Sequence, residues 1–185
     1  LNSHKNKNRA SARLFAVLAA LSCAGVPAAQ PTEYEVKAAF IHNIAKFVEW
    51  PAPAPVSGRA RLCLLGQNPF GGALDALQGK PIGRLSWEIM PADTGTNLKE
   101  CRVLFIAASE SGNLERILER LGNSPVLTVG DSDGYAARGV IANFYLEENR
   151  VRFEINREAA VRARLGISSQ LLKLARIVRE PGGAR

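Results

Sequence analysis

Histidine and cysteine are scarce in this 185-residue chain, which holds two of the first and three of the second. None of them falls at the short spacings of a local metal motif, so a metal centre encoded in one stretch of sequence is excluded. No Ser/His/Asp arrangement and no Cys/His pair with local context is present, which leaves the common routes of nucleophilic catalysis without residues. The glycines follow neither the dinucleotide nor the triphosphate fingerprint. The apolar run at residues 14–20 is far shorter than the roughly 20 residues needed to span a bilayer. Basic side chains are dispersed rather than gathered into a stripe, so no nucleic-acid partner is expected. No cofactor is expected either.

What is present fits one α/β domain: 46% hydrophobic residues, 22% charged residues, 16 glycines and 10 prolines. The formal charge of +7 is partly that of a leader. Lys5, Lys7, Arg9 and Arg13 precede the apolar run, and Val26-Pro27-Ala28-Ala29 supplies small residues after it, the order of a secretory signal peptide. We therefore expect a signal peptide over 1–29, cleaved near residue 28 or 29, and a single domain over 30–185. A retained membrane anchor and a lipoprotein linked through Cys23 are the competing readings. Without the four leader bases, 20 Lys or Arg face 17 Asp or Glu, a charge near +3. Export to an oxidising compartment makes Cys63 and Cys101, each at the leading edge of an expected strand, candidates for one disulfide; two isolated buried thiols are the alternative.

Along the chain, residues 34–50 carry Val36, Phe40, Ile41, Ile44, Ala45, Phe47 and Val48 on one arc of a helix, with His42 and Lys46 opposite. Thr32 and Glu35 form a capping box before it, Pro51 should stop it, and Lys37 should snorkel to water. Residues 61–65 read as an inner strand, and 69–77 as a helix capped by Asn68. Residues 82–90, 102–107 and 125–129 read as further strands, the last two separated by a helix bearing Leu114, Ile117, Leu118 and Leu121. Residues 140–146 and 151–155 alternate as an antiparallel hairpin. A short helix after Asn156 and a last helix carrying Leu171, Leu174, Ala175 and Val178 follow. The expected fold is a three-layer α/β/α with a mainly parallel central sheet and a C-terminal antiparallel hairpin.

Two loops fall where parallel sheets hold ligands. Phe70, Gly71 and Gly72 follow the first strand, where a phosphate could meet a helix terminus, although a tight turn explains them as well. Asp131 and Asp133 lie in the turn at 130–134; they could hold a cation or act in hydrolysis, or cap a surface turn. Lys173, Arg176 and Arg179 on the last helix suit a partner-facing or solvated surface, and equally the helix dipole.

Several stretches together resemble the YfiR family: YEVKAAFIHNIAKFVEWP (34–51), LLG (64–66) with PFGG (69–72), CRVLFIAASE (101–110), VLTVGD (126–131), RFEIN (152–156) and ISSQLLKLA (167–175). The resemblance implies a small periplasmic α/β protein without catalytic activity. It would inhibit an inner-membrane diguanylate cyclase by binding its periplasmic portion, and so lower cyclic di-GMP signalling and biofilm formation. It also implies a homodimer and redox-sensitive cysteines, with Cys63 and Cys101 matching one family pair; a second pair found in some relatives is missing from this hairpin. Trp50, Lys173 and Arg176 become possible interface residues. A small-molecule sensor using the two loops, and a hydrolase using Asp131 and Asp133, are the alternative functions.

Overall fold

The computed structural model describes residues 30–52 and 58–181. The leader, the Pro53 and Pro55 connector and the last four residues lie outside the described residues. Helix α1 (Glu33–Lys46) opens the domain. Its capping box forms: the Glu35 N–H donates to Thr32 Oγ1 at 3.3 Å, and the Thr32 N–H donates to Glu35 Oε2 at 2.6 Å. The helix stops at Phe47, before the expected Trp50, because Val48–Glu49 (β1) pairs antiparallel with Gly166–Ile167 (β9).

An eight-stranded sheet fills the middle layer. It contains β2 (Arg59–Leu65), β3 (Pro81–Ile82), β4 (Leu85–Ala92), β5 (Val103–Ile106), β6 (Leu127–Gly130), β7 (Ala142–Glu147), β8 (Arg150–Asn156) and β10 (Arg176–Val178). The spatial order is β10-β8-β7-β6-β5-β2-β4-β3. Pairing is parallel from β7 through β6, β5 and β2 to β4, and again between β10 and β8. The expected hairpin is the antiparallel β7–β8 pair, and β3 doubles back on β4.

Strand side chains alternate between two apolar layers, as the pleat requires. Leu62, Leu64, Val103, Phe105, Leu127 and Val129 join the layer under α1, together with Ala159 and Ala160 of α3 (Arg157–Arg162) and Leu171 of α4 (Ser169–Leu174). Cys63, Leu65, Leu104 and Ile106 face the other way, onto Leu114, Ile117 and Leu121 of α2 (Leu114–Leu121). Helices thus cover both faces, the expected three-layer α/β/α arrangement.

Three local expectations fail for identifiable reasons. No α-helix forms over 69–77. The Asn68 side chain instead closes a turn, accepting from the Phe70 N–H at 2.8 Å and donating to the Gly71 carbonyl at 3.2 Å, and Gly71 takes φ +56°. Only a 3-10 turn over Asp75–Leu77 follows. The last helix ends at Leu174 rather than near Val178, because β-branched Ile177 and Val178 pair with β8. Lys37 and His42, expected to face water, are both buried.

Candidate functional site

The C-terminal ends of the parallel strands β2, β5 and β6 lie at the same end of the sheet, and Asp131 follows β6 there. Its carboxylate meets the first turns of α1. Lys37 Nζ lies 2.8 Å from Asp131 Oδ2 and 2.5 Å from Glu33 Oε1, and the Tyr34 hydroxyl donates to the same Asp131 oxygen at 3.1 Å. The side chains of Lys37 and Asp131 are only 5% and 6% exposed. A lysine so placed stays charged only if its partners replace water. Burial pulls the Lys37 ammonium down from its ordinary pKa, but hydrogen bonds to Asp131 and Glu33 outweigh that pull and hold it above. Burial, followed by the Asp131 charge, raises the Tyr34 phenol.

Aromatic rings extend this cluster into the core. Lys37 Nζ stands 4.4 Å from the Tyr34 ring centre, Tyr34 meets Phe70 edge to face at 5.2 Å, and Phe70 meets Phe105 at 4.7 Å. The structure therefore brings Phe70 and Asp131 together through Tyr34 and Lys37. Gly71 and Gly72 turn outward, and Asp133 is exposed and has no hydrogen bond or ion pair among the described residues. Asp131 is committed to an ammonium and a phenol, an arrangement that anchors α1.

Next to Gly71, a cleft of about 620 Å³ is lined by Leu64, Leu74, Ile89 and Met90, with Asp75 and Gln78 at its margin. Gln78 Oε1 accepts from the Ile89 N–H at 2.9 Å; the Gln78 amide nitrogen and the Asp75 carboxylate have no hydrogen bond or ion pair among the described residues.

Cys63 and Cys101 are joined by a disulfide that ties β2 to the residue pair leading into β5. The bond is buried in the layer with Leu98 and Leu104. Trp50 is half-buried under the Arg102 guanidinium, 4.0 Å from the ring, and its Nε1 has no acceptor among the described residues. Burial lowers Arg102. Lys173 is exposed on α4, but Arg176 lies on strand β10 instead of a helix. Its guanidinium donates to buried Glu154 Oε2 at 2.5 and 3.1 Å and stacks on Tyr145 at 3.9 Å. Glu154 also accepts from Asn143 Nδ2 at 3.1 Å.

Sequence reasoning missed Lys37 as a buried ion-pair partner and His42 as a core residue. His42 Nδ1 accepts from Trp87 Nε1–H at 2.8 Å, so the imidazole is neutral and protonated on Nε2. The local sign for Lys37 was its place within the apolar arc of α1, whereas His42, on the opposite side, carried none.

Residues 34–176 match the family model described as YfiR/HmsC-like (DUF4154). Among solved structures, the chain is similar to a conserved domain protein from Vibrio cholerae O1 biovar eltor, with TM-score 0.55 and 13% identity, covering 80% of this chain and 60% of that one. It is also similar to an ABC domain in complex with L-Trp from Streptococcus pneumoniae, with TM-score 0.51 and 8% identity, covering 78% and 62%. The chain thus spans about three fifths of each solved chain, and at these identities the likeness is one of fold. No curated protein matches it.

Proposed function

The chain belongs to the YfiR/HmsC-like family, a family of non-catalytic regulators, and from that premise we propose that it binds the periplasmic portion of an inner-membrane diguanylate cyclase and holds the enzyme inactive. Cyclic di-GMP falls as a result. The family match over residues 34–176 carries this reading, because it takes in nearly all of α1, both loops, the β7–β8 hairpin and α4 in one alignment. Cleavage near residue 28 or 29 would release the domain to the periplasm, where oxidising conditions suit the Cys63–Cys101 bond. The working unit is a homodimer.

The decisive experiment joins co-purification from periplasm and inner membrane to measurement of cyclic di-GMP with and without the protein. A captured diguanylate cyclase together with a lower nucleotide level is the expected result. No membrane partner and an unchanged nucleotide level would sink the proposal.

A second reading, a small-molecule effector that modulates the regulator, is favoured by the cleft beside Gly71 with the Asp75 carboxylate as acceptor and the Gln78 amide as donor. Saturable heat on titration with pooled periplasmic metabolites, lost in Asp75→Ala, is its expected signature; no heat from any pool removes it.

A further inference from the structure

The sheet has an uncovered edge. Strand β10 pairs with β8 on one side and has no strand on the other among the described residues. Such an edge presents main-chain N–H and C=O groups ready to pair with another extended chain. Beside it, between α3 and β10, runs a groove of about 390 Å³. Its floor is apolar: Val161 and Ile177 are 73% and 45% exposed, and Val178 continues the surface. Leu174, just before the strand, is 75% exposed. Its rim is basic, with Arg157, Arg162 and Arg179 against the single carboxylate of Glu158. Arg162 is paired with Glu180, whereas Arg157 and Arg179 have no carboxylate partner among the described residues.

From this combination we infer that β10 is the docking edge of the protein, taking an extended segment of its protein partner as a ninth strand. The segment carries apolar side chains that cover Val161 and Ile177, and acidic ones that meet Arg157 and Arg179. Main-chain pairing supplies the register, and alternate side chains supply the choice of partner. A second copy of this chain is the poorer occupant, because its own groove is rimmed by the same Arg157 and Arg179 and brings only the Glu158 carboxylate to meet them. The guanidinium of Arg176 is held back over Tyr145 by Glu154, which leaves the strand edge clear. The inference rests on the proposed regulation of a membrane cyclase for the identity of the partner, but the edge can be tested without it.

Two arms separate the possibilities. In the first, wild type, Ile177→Glu, Arg157→Glu/Arg179→Glu and a Leu146→Ser control on exposed Leu146 are compared for cyclic di-GMP lowering and for amide exchange of residues 176–178 in the cyclase complex. Melting curves check that each variant is folded. At least a tenfold loss of inhibition in the two edge variants, an unaffected control, and slowed exchange at 176–178 in the complex are expected. Edge variants that inhibit like wild type overturn the inference and leave the cyclase reading standing. If wild type itself engages no cyclase, the second arm decides. An alternating Glu/Val decapeptide is titrated against the whole mature protein, beside its N-methylated copy. Protection of 176–178 by the first peptide alone supports the edge; no protection, or equal binding of both, overturns it. Protection that appears with protein concentration in the absence of any peptide assigns the edge to self-pairing and likewise overturns the inference.

Discussion

Replacing Lys37 by Met tests whether α1 is held by a desolvated ion pair. The substitution keeps the length and apolar stem of the side chain and removes the ammonium, so the Asp131 carboxylate, 6% exposed, keeps only the Tyr34 hydroxyl. Breaking a buried pair from one side costs about 3–5 kcal/mol, mostly through the charge left behind. For a domain of this size that corresponds to a melting temperature lower by roughly 10 °C. Asp131→Leu should cost less, about 2 kcal/mol, because Lys37 retains Glu33, which is itself 38% exposed. The double variant, with no charge to strand, should return to within about 2 kcal/mol of wild type. Urea unfolding of all four proteins at pH 7 completes the cycle and should give a favourable coupling of about 2 kcal/mol or more. The choice of pH follows from the sign of linkage. The Lys37 pKa is raised in the folded state, so its stabilisation is fully present below the ordinary lysine value and fades only as pH climbs through the raised one. A Lys37→Met cost under about 1 kcal/mol, with additive single effects, would refute a desolvated pair and mean that the ammonium reaches water.

Other consequences are open to direct measurement. His42 is lowered by burial first and by Lys46 and Lys80 next, so the unfolded chain takes up its proton before the folded one; melting temperature should fall as pH drops below about 6.5, and this slope should vanish in His42→Gln. Trp87→Phe strands the buried His42 acceptor and should cost about 1–3 kcal/mol in urea unfolding, whereas a neutral result would place water at that nitrogen. Reducing the Cys63–Cys101 bond, whose cysteines are 38 residues apart, should lower stability by roughly 4 kcal/mol on the chain-entropy model; two thiols alkylated without reductant would show that the bond is absent. Gly130→Ala places a methyl 2.4 Å from the Tyr135 ring, which is fixed by its hydroxyl donating to the Ala107 carbonyl at 3.0 Å, so a loss of about 2 kcal/mol or more is expected; an unchanged melting curve would mean that the ring yields freely.

The elements legible in the sequence are those whose cause is local. Thr32 and Glu35 specify their own cap, and the alternating 140–146 and 151–155 runs require only a short turn to find each other. The errors cluster where the deciding partner is distant. Lys37 is buried because Asp131 waits 94 positions later, and His42 because Trp87 waits 45 positions later. Viewed alone, Lys37 reads as a break in the apolar arc whose stem can reach water, and His42 as part of the polar face. The same logic explains the end of the chain. Residues 171–178 keep a helical apolar spacing, and Leu171 obeys it, yet Ile177 and Val178 gain more by extending the sheet alongside Ile155 and Asn156. That switch from helix to strand turns Arg176 from a cation on a helix face into the clamp on buried Glu154, and it leaves Leu174 and Ile177 exposed beside an open sheet edge. Leu174, 75% exposed, and Ile177, 45% exposed, keep much apolar surface in water beside that edge, and the cost of this exposure is a physical reason to seek a partner there.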